Sequence, residues 1–162
     1  MASVLIMENP FNKSTPKIEK NSKVQNLDAE RNAFFFEHGY TRVNKILGYQ
    51  ILPDTYQSLH IHLAPANDLG VGEKIRLIKD GFKKLAVVIS SNTDIQKVYA
   101  VSWIVARQPK FMEKMGFEIE DSIDVKLLLG SMRVVSALTN RDTRPRAMAT
   151  MSREKFLERY LN

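Results

Sequence analysis

The sequence predicts a mixed α/β (α+β) domain, and three observations carry that prediction. From Ser58 to Ala64, apolar Leu59, Ile61 and Leu63 alternate with Ser58, His60 and His62, the period of a half-buried strand. Directly afterwards Ile75, Ile78, Phe82 and Leu85 recur at helical spacing. The length of 162 residues, with 44% hydrophobic and 26% charged residues, is that of one globular domain with a sizeable core.

In chain order, residues 1–26 read as a flexible N-terminal arm, with Pro10, Pro16 and a polar stretch, and a short strand at Val4 to Met7. Residues 27–162 read as a single domain. Leu27 opens a helix with Asp28 and Glu30 in its first turn, and Gly39 stops it. Phe34, Phe35 and Phe36 cannot all share one helix face, so one of them packs on a neighbour or lines a pocket. Thr41 to Leu52 is a strand interrupted at Gly48, and Pro53 with Asp54 makes a turn. The Ser58 to Ala64 strand ends at Pro65. Asn67 to Gly72 is a glycine-bearing loop, and Glu73 to Leu85 is a helix slightly weakened by Gly81. Val87 to Ile89 and Val98 to Val105 read as buried strands. Lys110 to Met115 is a short helix behind Pro109, stopped by Gly116. Phe117 to Ile119 and Asp124 to Leu129 read as two closing strands. A last helix runs from Arg153 to Leu161 with Ser152 as its N-cap.

Composition removes whole classes of function. With no cysteine, disulfides, thiolate metal sites, iron–sulfur clusters and a cysteine nucleophile are excluded. No apolar run reaches the roughly 18 residues of a membrane span. The early Val4 to Met7 run is cut off by Glu8 and Pro10, short of a signal-peptide core. A cytoplasmic protein without a membrane role is the default expectation. The net charge of +6 leaves a polyanionic partner open without naming one.

The strand, loop and helix from Leu59 to Leu85 carry the chemistry. Glycines in Asn67-Asp68-Leu69-Gly70-Val71-Gly72 let the backbone approach an anion closely. The free amides of a helix's first turn point at such an anion, and the helix dipole favours its charge. Lys74 and Arg76 add positive charge nearby. The loop has neither a nucleotide-triphosphate pattern nor a dinucleotide fingerprint, and an ordinary strand-to-helix turn reads the same way.

Asn67-x-x-Gly70-x-Gly72, with Met112-x-x-x-Gly116-Phe117 later in the chain behind an apolar strand, resembles the GNAT superfamily of acyl-CoA-dependent N-acyltransferases. The resemblance covers residues 41–129. It implies a mixed, mostly antiparallel central sheet flanked by helices; about residues 130–162, outside it, read as a basic C-terminal extension. It also implies acetyl-CoA, or another acyl-CoA, as cosubstrate, with no metal. The pyrophosphate would sit on the amides of Leu69, Gly70, Val71, Gly72 and Glu73, with Asn67 opening the loop. The pantetheine would pass Leu63 and Ala64 in a splay facing Ser102, flanked by the helix carrying Met112. Three positions depart from the family pattern. Asn67 replaces a longer Arg or Gln, Met112 stands where a proton-donating tyrosine is usual, and Ala106 where an asparagine is common.

His60 and His62 share a strand face, a spacing some metal ligands have, but no carboxylate lies beside them in sequence. Either could deprotonate an amine, because an unperturbed imidazole titrates near neutral pH. The plainer reading is a polar strand face packed under a helix. Tyr99, Ser102 and Tyr56 are candidates for the missing proton donor. Trp103 reads as core. Arg133, Arg141, Arg144, Arg146, Arg153 and Arg159 make the C-terminal third basic, usually the mark of a solvated face.

The expected function is transfer of an acetyl group from acetyl-CoA to an amine on a small molecule or peptide, with His60, His62 and Tyr99 as catalytic residues. Two alternatives stand beside it. One is a GNAT-fold acyl-CoA-binding or regulatory module without activity. The other is a nucleic-acid-associated protein using Arg144 and Arg146. A homodimer is left open.

Overall fold

The computed structural model describes residues 17–52, 57–139 and 143–162. The elements are α1 (Lys17–Glu37), β1 (Thr41–Arg42), β2 (Leu47–Ile51), β3 (Ser58–Leu63), α2 (Val71–Ser91) and β4 (Lys97–Ser102). They continue with α3 (Trp103–Arg107), α4 (Pro109–Lys114), β5 (Glu118–Glu120), α5 (Ile123–Leu138), β6 (Ala147–Ser152) and α6 (Arg153–Tyr160). Six strands form one sheet in the order β1-β2-β3-β4-β6-β5. Every neighbouring pair is antiparallel except β3 with β4. The fold is mixed α/β with a mostly antiparallel sheet flanked by helices.

Strand alternation assigns the two faces. On one, Leu47 of β2 meets α2, at Gly81, where an added Cβ would stand 2.4 Å from Leu47 Cδ2. The glycine that costs helix propensity is therefore what lets α2 lie close on the sheet. Ile78, Phe82, Leu85, Ala86 and Ile89 form the buried stripe of α2. Phe82 packs against Phe117, Phe156 and Tyr160, with ring centroids 5.1 to 5.7 Å away. On the other face, α1 lies over β2 and β3. Phe35, 1% exposed, rests on Gly48, where a Cβ would come 2.6 Å from its ring. Gly48 is in regular register between Arg42 and His62, so it marks a helix contact instead of the expected interruption. Of the three phenylalanines, Phe35 is core, Phe34 meets His62 of β3 and Phe36 is 86% exposed.

Several expected boundaries move. α1 begins at Lys17 instead of Leu27, inside the stretch read as an arm. The single strand over 41–52 is two strands, turned by Asn44, whose Oδ1 accepts from the amides of Ile46 and Leu47. Val87 to Ile89 lies within the last third of α2, where Ile89 is buried, Val88 is partly buried and Val87 is exposed. β4 ends at Ser102, whose hydroxyl caps α3 at Val105 N, so Trp103 to Val105 is helical. Asp124 to Leu129 belongs to α5, capped by Ser122. The C-terminal stretch is no appendage: β6 lies between β4 and β5, and α6 buries Phe156 and Tyr160. Ser152 caps α6, as expected. The strand at Val4 to Met7, the Pro53–Asp54 turn, Tyr56 and Arg141 lie outside the described residues.

Arg153 and Arg159 act on their own chain. The Arg153 Nη1 donates to the carbonyls of Ile89, Asn92 and Ile95 at 2.7, 2.6 and 3.1 Å, closing the C-terminal end of α2. Arg159 donates to the Lys114 carbonyl. Arg144 lies over the partly exposed Trp103 ring, 3.9 Å from its centroid. Among the described residues no helix is long and apolar enough to cross a membrane.

Candidate functional site

The site is built on β3 and on the turn that leads from it into α2. Alternation along β3 turns His60 and His62 away from α2 and toward α1. There Phe34, His38 and Tyr40 meet them, so all three histidines of the chain gather in one place. The Phe34 ring lies 4.5 Å from His38 and 5.4 Å from His62. Tyr40 Oη and His60 Nδ1 are hydrogen-bonded at 3.0 Å. On its other side His60 stacks on Tyr99 of β4, centroids 4.7 Å apart and planes 9° from parallel. His60 Nε2 is buried with no hydrogen-bond partner.

This environment suppresses charge on the imidazoles. Burial, and then the neighbouring His62, push His60 down to about 4. Burial, and then the neighbouring His38 and Arg146, also lower His62. Burial raises the Tyr40 hydroxyl, so it keeps its proton at neutral pH. Among the described residues no group of three or more His, Asp or Glu side chains is placed to hold a metal ion.

The parallel ladder of β3 and β4 runs from Ser58↔Lys97 to Ile61↔Ala100 and stops. β4 stays paired with β6 as far as Ser102↔Ala147. β3 stays paired with β2 as far as Leu63↔Leu47. Past that point the facing stretches His62–Leu63 and Val101–Ser102 are unpaired with each other, a wedge in the ladder.

The chain then turns from β3 into α2. Ala64 N donates to Ile46 O and Leu69 N to Ala66 O, shaping the turn. Gly70 is the N-cap of α2 and no side chain bonds to the cap. The first-turn amides of α2 thus have neither an intrahelical partner nor a side-chain cap. A Cβ at Gly70 or Gly72 would meet nothing within 4 Å, and Gly70 has an ordinary extended backbone. Neither packing nor backbone conformation requires glycine at these two positions. Arg31 of α1 crosses to this turn: its Nε donates to Pro65 O at 3.1 Å and its Nη2 is bonded to Asp68 Oδ1. Arg76 is ion-paired with Asp80 one helical turn on.

The structure brings His60, His62 and Tyr99 into one cluster. It strings Leu63, Ala64, Asn67, Leu69, Gly70, Val71, Gly72 and Glu73 along the wedge and the turn. Ser102 stands across the wedge, with its oxygen used as a helix cap. Met112 shares an apolar core with Leu69, and Leu63 packs against the same core. Met112 is 7% exposed, in the core that also holds Met115 and Phe117. Tyr40 and Arg31 are additions that spacing alone does not flag. Tyr40 stands just after a helix-stopping glycine and reads as a loop residue. Arg31 is a charge one turn before Phe35 on the inward stripe of α1, and that mismatch is the one signal the sequence offers. Comparison with protein-family models, with curated proteins and with solved structures gave no match.

Proposed function

We propose that this chain binds an acyl-CoA and transfers its acyl group to an amine, on a fold of the GNAT type. One observation carries the reading: the lone parallel pairing ends at Ile61↔Ala100, and the chain runs on from β3 into an uncapped, glycine-bearing helix N-terminus. A wedge of this kind accepts an extended, amide-containing pantetheine arm, because the unpaired edges of the two strands offer it backbone hydrogen bonds. The open turn at Gly70 and Gly72 suits a diphosphate, which the α2 amides and dipole would hold.

In this reading the thioester lies at the mouth of the wedge, and β3 backbone at Leu63 polarises its carbonyl. The amine nitrogen attacks the carbonyl carbon and the carbon–sulfur bond breaks. His62, nearer the wedge than His60, takes the proton lost by the amine. Tyr40, held protonated by burial, gives one to the departing thiolate, the part Met112 cannot play. The two rings lie 5.1 Å apart, close enough for a water to return the proton afterwards. His60, depressed to about 4, is too weak a base to lead and serves to orient Tyr40 and Tyr99.

A second reading, binding without turnover, is favoured by the same weak basicity of His60 and by the burial of Met112. Titration with acetyl-CoA tests both. Binding with a raised melting temperature supports the acyl-CoA site, because a ligand selective for the native state must stabilise it. Thiol release with any of a panel of amines then supports transfer, and binding without release supports the second reading. If saturating acetyl-CoA neither binds nor raises the melting temperature, both fall.

A further inference from the structure

Arg31 is the least expected side chain in the molecule. It is 4% exposed, and a guanidinium carries five N–H donors that all need partners when buried. Its Nε and Nη2 reach Pro65 O and Asp68, but Nη1 is buried with no partner. As a stabilising device this is poor, since buried ion pairs seldom outperform apolar packing and an orphaned donor is costly. The effect of Arg31 lies in where it holds the turn. Asp68 stands two positions ahead of the Gly70 N-cap. Unmasked, its carboxylate would oppose any anion at the α2 amides. Unanchored, the Pro65–Asp68 segment would be free to close over Gly70.

We propose that Arg31 is the positioning residue of the phosphate turn: from α1 it masks the Asp68 charge and fixes the Pro65 carbonyl, so that the α2 amides face a diphosphate without an opposing carboxylate. The proposal rests on the acyl-CoA reading of this site. It adds a residue that lies far from the turn in sequence, on a different element, and touches no ligand itself.

The test compares ligands with and without the diphosphate. Coenzyme A, inorganic pyrophosphate and pantetheine are titrated calorimetrically into wild type, Arg31→Met and the Arg31→Met/Asp68→Asn double variant. Arg31→Met is expected to weaken coenzyme A and pyrophosphate by about tenfold or more, as an unmasked carboxylate beside the bound anion does, and to leave pantetheine within about twofold. Adding Asp68→Asn should recover much of that loss, because the opposing charge is gone. A merely structural role would weaken all three ligands together, and that result overturns the proposal. So does unchanged coenzyme A binding by Arg31→Met, or a double variant no better than the single one. Should Arg31→Met not fold, Arg31→Gln carries the same comparison, since a glutamine removes the charge while keeping hydrogen-bond donors for the turn. Wild-type protein that binds neither coenzyme A nor pyrophosphate overturns the underlying reading instead.

Discussion

His60 stacks on Tyr99 at 4.7 Å while sharing a 3.0 Å hydrogen bond with Tyr40, and it finds no partner for its second nitrogen. An imidazole so enclosed is kept neutral. Its native value is about 4 against 6.5 unfolded, so below pH 6.5 the unfolded chain binds the extra proton. Stability is therefore full above pH 6.5 and falls as the pH drops toward 4. The span corresponds to roughly 3 kcal/mol at most. Urea unfolding at a series of pH values should show this slope, and His60→Gln should flatten it. An unchanged slope in the variant would refute the assignment.

Gly48→Ala should destabilise through Phe35. The new methyl would meet Phe35 Cδ1 at 2.6 Å and the Thr41 carbonyl at 3.3 Å, and Phe35 is too enclosed to move aside. A loss of about 1–3 kcal/mol is expected, as for other overpacked cores. Thermal unfolding checks it, and Phe35→Leu in the same chain should return part of the loss.

Gly70→Ala and Gly72→Ala should behave in the opposite way. Both positions are open, so unfolding should change by no more than about 1 kcal/mol. Coenzyme A affinity should fall, because the methyl occupies the approach to the α2 amides. Full affinity in both variants would count against the turn as an anion site.

Arg153→Ala should release the C-terminal end of α2. Three carbonyls lose a charged donor at once, worth about 2–3 kcal/mol, and Arg153→Lys should restore only part. Denaturant unfolding measures the loss. Amide exchange should localise it to residues 89–95.

Much of the architecture is legible where one physical signal dominates. Alternation fixes β3 and the side on which His60 and His62 lie. Ser152 and Pro109 mark the starts of α6 and α4. The errors arise where signals compete. Val87 to Ile89 is apolar enough for a strand, yet only Ile89 joins the buried stripe of α2 and Val87 faces solvent. Asp124 to Leu129 reads as a closing strand, although α5 holds Ile123, Leu127 and Leu138 exposed and only its Ser122 cap announces a helix. β6, Ala-Met-Ala-Thr-Met-Ser, is built of small and flexible side chains with weak alternation. In the candidate site, β3 and the glycine turn are visible because they are contiguous. Tyr40 and Arg31 are not, because their partners are brought to them by the packing of α1 on the sheet.

The placement of β6 bears on how the chain reaches this fold. β4 and β5 touch in the sheet only through β6, which comes later in the chain than either. Until residues 147–152 dock, β4 keeps an open edge and β5 has no neighbour. Closing that gap joins distant parts of the sequence, a slow kind of contact to form. Folding should therefore be gated at the β4–β6 ladder. Trimming Ala149→Gly or Met151→Ala should slow refolding, while trimming Phe35 should mainly speed unfolding.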